Sequence, residues 1–207
     1  MTIAVADDIA RISTLKTELA ALGAVTEVGF QDGGAEVDRL KALALELEGL
    51  NPTAETARAG ALLRGRWHLI YSSLGLLRRS TLAALSFGAL PKTEVEVVEV
   101  FQETDPATGH YDNIIHLIDE DGMPATLVIA GDYRVEDDAQ MDIRFNRVLL
   151  TGENQRLELP LDPARLPPIQ TMTSFLDDGF RLIRGGKGSL YVLERLDAAP
   201  LRWARDS

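Results

Sequence analysis

Three histidines, His68, His110 and His116, are the only imidazoles in a chain of 207 residues that has no cysteine. Metal binding needs several such ligands to converge. His110 and His116 fall on one candidate strand, but six residues along a strand span about 20 Å, too far to share an ion. The lack of cysteine removes disulfides, thiolate catalysis and Cys-ligated zinc. Carboxylates cluster at Glu94 and Glu96, at Asp137-Asp138 and at Asp177-Asp178. Adjacent acids in turns, and alternate acids on a strand, mark solvated faces more often than acid–base pairs. No G-x-S-x-G elbow presents a serine nucleophile. Gly185-Gly186-Lys187-Gly188 looks superficially like a phosphate loop, yet it lacks the spacing and joins two candidate strands. Catalysis is therefore not expected, and neither a metal nor an organic cofactor is implied.

Binding remains, and the composition bounds what can bind. The formal net charge of −11 argues against a nucleic-acid surface and against electrostatic attachment to anionic lipid. With 45% hydrophobic and 26% charged residues, the chain can build a full core or enclose a cavity. Its acidic start, Met1 to Asp8, reads as neither a signal nor a transit peptide, and no apolar run is long enough to span a bilayer. The expectation from these features is a cytoplasmic protein.

The elements that would position a binding site follow in order. Residues 7–22 predict a helix capped by Asp7 or Asp8 and ended by Gly23, with Ile12, Leu15 and Leu19 on one stripe. A second helix is expected from Ala35 to Glu48, so that residues 1–50 form a helical pair packed outside a barrel or plugging its base. Asn51-Pro52-Thr53 reads as a helix stop and linker. From Gly65 onward the pattern is β. Trp67, Leu69 and Tyr71 share one face of Gly65–Ser73, and further strands are expected at 93–102, 110–118, 125–135, 140–151 and 155–159. A hairpin closes the chain, Phe180–Arg184 and Ser189–Arg195, with Tyr191, Leu193 and Arg195 on one face. About eight strands result, the number at which a barrel can hold one small ligand. If the first and last strands meet, Arg195 lies over the Trp67 indole. The charges of the closing strands, Arg181, Arg184 and Lys187, are expected to pair locally with Asp177 and Asp178.

Three stretches resemble a known family. Asn51-Pro52-Thr53, the strand Gly65-Arg66-Trp67-His68-Leu69-Ile70-Tyr71-Ser72-Ser73, and the long closing run from Leu176-Asp177-Asp178 through Arg181, Arg184-Gly185 and Gly188-Ser189-Leu190-Tyr191-Val192-Leu193 are similar to the fibrillin, or plastid lipid-associated protein, family. Phe175 stands where the family has tyrosine, and Gly179-Phe180 where it has an acidic residue and leucine. The resemblance implies a mainly β, lipocalin-like antiparallel barrel over residues 51–207 that associates with lipids, carotenoids or prenylquinones, and a place peripheral to an intracellular photosynthetic membrane.

The expected interior is apolar with a few polar handles. Binding residues are expected at Trp67, Leu69 and Tyr71, at Asn113 and Ile115, at Leu127 and Phe145, and at Tyr191 and Arg195. The apolar segment Leu74–Leu90, with Leu77, Phe87 and the flanking Arg78 and Arg79, reads either as a lid over the barrel mouth or as packing on its wall. The function expected is binding, carriage or shielding of a small lipophile. The alternatives are a coat protein adsorbing to lipid surfaces, which a filled barrel would favour, and a barrel enzyme on a quinone- or tetrapyrrole-like substrate. A buried acid or arginine with a strongly perturbed pKa would favour that enzyme.

Overall fold

Leucines at helical spacing open the chain as α1 (Thr2–Val25) and α2 (Ala35–Gly49), which bury Leu15, Leu19, Leu40, Leu43 and Leu47. This computed structural model describes residues 2–30, 33–74, 78–153, 156–162 and 164–200, with side chains from residue 6. α1 outruns the expected 7–22 at both ends, so Asp7 and Asp8 lie inside it instead of capping it. Gly23 does not terminate α1 either. It lies within the helix, where an added Cβ would sit 2.1 Å from the Ile70 Cγ2 methyl. Its role is close approach of the helix to the sheet.

After a 3-10 turn (Thr56–Arg58) and α3 (Gly60–Leu63), the chain enters β1 (Gly65–Ser72), β2 (Arg79–Thr81) and α4 (Leu82–Leu85). Then follow β3 (Glu94–Asp105), β4 (His110–Ile118), β5 (Pro124–Val135), β6 (Gln140–Thr151), β7 (Arg156–Pro160), β8 (Ile169–Leu176), β9 (Phe180–Gly185) and β10 (Leu190–Asp197). The sequence reading lacked two strands, the short β2 and, in the barrel wall, β8. Its thronging of polar Gln170, Thr171, Thr173 and Ser174 directly after the proline-rich run hid a strand whose inner face is Thr171 and Thr173.

The sheet runs β1-β10-β9-β8-β6-β5-β4-β3, and β3 returns to pair with β1. Eight antiparallel strands thus close a barrel, with β2 added along β3 and β7 along β6. The glycine link between β9 and β10 is a tight hairpin: Gly188 donates to the Gly185 carbonyl at 2.8 Å and has φ +78°.

The helical pair packs on the outer face of one side of the barrel. Its leucines share a buried cluster with Ile70, Tyr71, Phe175, Phe180, Leu182, Leu190 and Val192 from β1, β8, β9 and β10. Charges tie the same surfaces. Lys16 meets Asp177 at 2.7 Å, and Arg184 makes a forked contact with Glu48 at 2.7 and 3.0 Å. The expected local pairing of Arg184 with Asp177 or Asp178 is therefore corrected. In a twisted hairpin these side chains point outward to the helices, which supply the opposite charge.

Asn51-Pro52-Thr53 does more than stop a helix. Asn51 Oδ1 accepts from the Leu176 amide at 3.1 Å, and Thr53 Oγ1 donates to the Leu176 carbonyl at 2.7 Å. Thr56 adds a bond to the Thr173 carbonyl at 2.7 Å. The linker is stitched to β8 along its length.

The close approach at Gly23 has a signed consequence. Alanine in place of glycine inside a helix ordinarily stabilises it by about 1 kcal/mol. Gly23→Ala should instead destabilise by about 1–3 kcal/mol, because Ile70 must move. Gly49→Ala, which meets no atom within 4 Å, should be neutral or slightly stabilising. Urea unfolding of both variants checks this, and equal effects would show that α1 can shift off the sheet.

Candidate functional site: the cavity inside the barrel

The interior of an eight-stranded barrel is narrow, so its contents depend on which side chains alternate inward. Here the inner face of the upper half leaves a cavity of about 380 Å³. Leu69, Ile115, Ile129, Ile143, Phe145 and Ile183 form apolar wall, and Ser72, Gln102, Tyr111, Asn113, Thr171 and Tyr191 supply the polar groups. At the rim stand Leu74, Ala84, Leu85 and Phe87. Leu74 is 61% exposed and Phe87 47%, which marks where the cavity reaches solvent.

The rim is positioned by local bonds. Thr81 caps α4 by accepting from the Ala84 amide at 3.2 Å. Buried Ser86 donates to the Leu82 carbonyl at 2.6 Å and accepts from the Leu90 amide at 3.0 Å. Between these anchors Phe87 takes φ +54°, a left-handed conformation costly for a bulky residue, and its ring stacks on Phe145 at 5.7 Å. Arg78 stays at the surface, where it meets Glu27 at 3.1 Å and lies 4.7 Å over the Phe30 ring.

Of the residues named from sequence, Leu69, Phe87, Asn113, Ile115, Phe145 and Tyr191 line this cavity. Tyr71 does not. A β-bulge puts one extra residue in β1, since Leu69 pairs with Leu193 while Tyr71 pairs with Val192. Ile70 and Tyr71 both turn to the helices, and Ser72 takes the inward place. Leu127 is fully buried in the interior cluster but does not line the cavity. Leu77 lies outside the described residues. Trp67 and Arg195 lie below the cavity, at the closure of the sheet. The Arg195 guanidinium is 4.6 Å from the Trp67 ring and donates to the Leu62 carbonyl, while Trp67 Nε1 donates to the Leu63 carbonyl at 3.0 Å. That cation–π contact is worth roughly 0.5–2 kcal/mol.

The histidines do not converge. His68 and His116 stand on either side of the Phe101 ring at 5.2 and 5.0 Å, and His110 and His116 face different carboxylates, Asp132 and Glu99.

Sequence reasoning missed the largest polar group of the interior. Arg181 is wholly buried inside the barrel, not in an exposed pair with Asp177 or Asp178. β9 is covered on both faces, so Phe180 and Leu182 go to the helices and Arg181 and Ile183 go inward. The parity of Ile183 was the available signal. The guanidinium bonds Thr173 Oγ1 at 3.1 and 3.3 Å and Thr104 Oγ1 at 3.4 Å. Burial pushes its pKa down, while the Tyr111 and Tyr133 phenols favour the charge.

Those phenols are themselves perturbed. Burial pushes Tyr111 up to about 12, partly offset by Arg181, and burial likewise raises Tyr133 and Tyr191. Between pH about 10 and about 12 the folded protein keeps the Tyr111 proton that the unfolded chain releases. Stability present below pH about 10 is thus lost as pH rises, by about 2–3 kcal/mol for Tyr111 alone. Urea midpoints measured across this range should fall, and Tyr111→Phe should flatten the decline. An unchanged slope would show that solvent reaches the phenol.

The PAP_fibrillin family profile matches residues 13–194, from within α1 into β10. The chain is also similar to the plastid-lipid-associated protein 6, chloroplastic, of Arabidopsis thaliana. The two are 26% identical over 202 aligned positions that cover 88% of this chain and 70% of that protein.

Proposed function

The chain belongs to the PAP/fibrillin family, and from that membership and the geometry of its barrel we propose that it binds and carries a small lipophilic molecule. The observation that carries this reading is the cavity of about 380 Å³, apolar over most of its wall and reached past Leu74 and Phe87. Ligand pockets span about 300–1,000 Å³, so this one suits a compact lipophile or one end of a longer one, such as a prenylquinone. Burial of apolar ligand surface contributes about 25 cal/mol per Å², and the few polar groups set orientation. Association with lipid, the property in the name of the plant relative, fits a carrier that visits lipid surfaces from outside. Among the described residues no helix is long and apolar enough to cross a membrane.

Ala84, Leu85 and Phe87 form the movable part of this site. They stand on a short segment between capped turns, whereas the other walls are strands of the closed sheet. A left-handed Phe87 stacked on Phe145 closes the mouth, and its swing outward admits the ligand.

Two other readings have observations of their own. Exposed Leu74 and Phe87 would serve a coat protein resting on lipid. Buried Arg181 is the kind of group a barrel enzyme would use, although it lies beneath the cavity lining.

The test is titration of the intact protein with a fluorescent fatty acid and with a short-chain prenylquinone, followed by recovery of the bound molecule. Saturable binding and chemically unchanged ligand are expected. A Leu85→Glu, Phe87→Glu variant should bind at least about tenfold more weakly or exchange faster. Absence of binding by the folded intact protein would transfer the function to the coat reading, and conversion of the ligand would transfer it to the enzyme.

A further inference from the structure

The floor of the cavity carries polar groups that apolar binding does not use. Gln102 Oε1 and Thr171 Oγ1 are buried, line the cavity and have no hydrogen-bond partner among the described residues. Each of these residues is only 8% exposed. Orphaned polar atoms of this kind each cost about 1–3 kcal/mol. Thr171 offers an O–H. The Gln102 amide bonds the Tyr111 phenol through its other atom, and turned over it offers N–H donors into the same space while the phenol donates to its oxygen. Tyr111, whose phenol keeps its proton, lines the cavity beside them.

Beneath this floor lies Arg181. It sits two residues before the lining residue Ile183 on the same inner face of β9, and its contact Thr104 sits two residues after Gln102 on β3. Its guanidinium has five N–H donors and makes three hydrogen bonds, all to threonine hydroxyls. No carboxylate pairs with it among the described residues, and its ionisable neighbours are the phenols of Tyr111 and Tyr133. A buried cation without a counter-charge is strongly unfavourable unless something anionic approaches it. The protein as a whole is acidic, so this positive point is local and enclosed.

Resting on the lipophile-binding reading above, we propose that the ligand carries a carboxylate and enters head-down. The carboxylate accepts hydrogen bonds from Thr171 and Gln102 at the floor and lies in the field of the Arg181 guanidinium, with the alkyl chain against Ile115, Ile143 and Phe145. Arg181 is then a positioning and charge-selecting residue, and the acidic lipophile supplies the missing counter-charge of the barrel.

The experiment compares oleate with oleyl alcohol by titration calorimetry, since the two differ only at the head. The intact protein should bind oleate roughly tenfold to a hundredfold more tightly, the range expected for hydrogen bonds to a charged group. Arg181→Gln, checked for retained fold by circular dichroism, should lose that preference while keeping its affinity for the alcohol. Should Arg181→Gln fail to fold, Thr171→Val reads the same preference and should reduce it. Oleate labelled with carbon-13 at the carboxyl and bound to the intact protein should stay ionised to below pH about 4, under the ordinary carboxylate value. Equal affinity for acid and alcohol, a preference that survives in folded Arg181→Gln, or a bound carboxyl that titrates above its ordinary value would each overturn the proposal. Binding of the alcohol without preference for the acid leaves the carrier function standing and removes only the head-group assignment. Failure of both to bind removes both.

Discussion

Everything in this protein depends on β1 serving two neighbours at once. It pairs with β10 along one edge and with β3 along the other, and only that double pairing converts a long curled sheet into a closed barrel. Closure forces one face of every strand inward, where eight strands enclose a space that side chains partly fill and that leaves room for one small ligand. Trp67 and Arg195 occupy the seam itself and seal its lower end. The bulge at Ile70 lies just beyond the β3 pairing and shifts the register with β10. It also hands two consecutive apolar residues to the helices and a serine to the interior.

The interior is divided by chemistry as well as by depth. Apolar wall and a few amide and hydroxyl groups line the cavity, and the Arg181 guanidinium lies beneath it, next to phenols that hold their protons. On the outside the same strands meet the helical pair through leucines and two partly buried ion pairs, Lys16–Asp177 and Arg184–Glu48. Such pairs are screened less than fully exposed ones. Two arginines of one six-residue strand, Arg181 and Arg184, therefore serve opposite surfaces.

Much of the fold was legible because period-2 alternation and turn chemistry are local signals. β4 and β6 fall where their alternation places them, and the glycine-rich link makes the expected hairpin. The inner residues Leu69, Asn113, Ile115 and Phe145 followed from parity alone. Tyr71 did not, because a bulge inserts one residue without any local mark in the sequence. Arg181 was misplaced for a different reason. Two aspartates precede it and suggest a nearby partner, whereas burial of β9 on both faces becomes evident only once the helices are known to cover Phe180 and Leu182. β8 was obscured by its threonines, which are inward-facing polar groups and so invert the usual pattern of apolar residues inside.

The arrangement of the helical pair also fixes an order of events during synthesis. α1 and α2 are made before the strands, yet much of the platform they dock on is made by Phe175, Phe180, Leu182, Leu190 and Val192, well over a hundred residues later. Until those strands emerge, the leucine stripes of the two helices have only each other as cover, and β1 has gained at most its partner β3. Contacts between residues so distant in sequence make folding slow. The nascent protein thus spends most of its translation with the sheet-facing side of its helical pair uncovered.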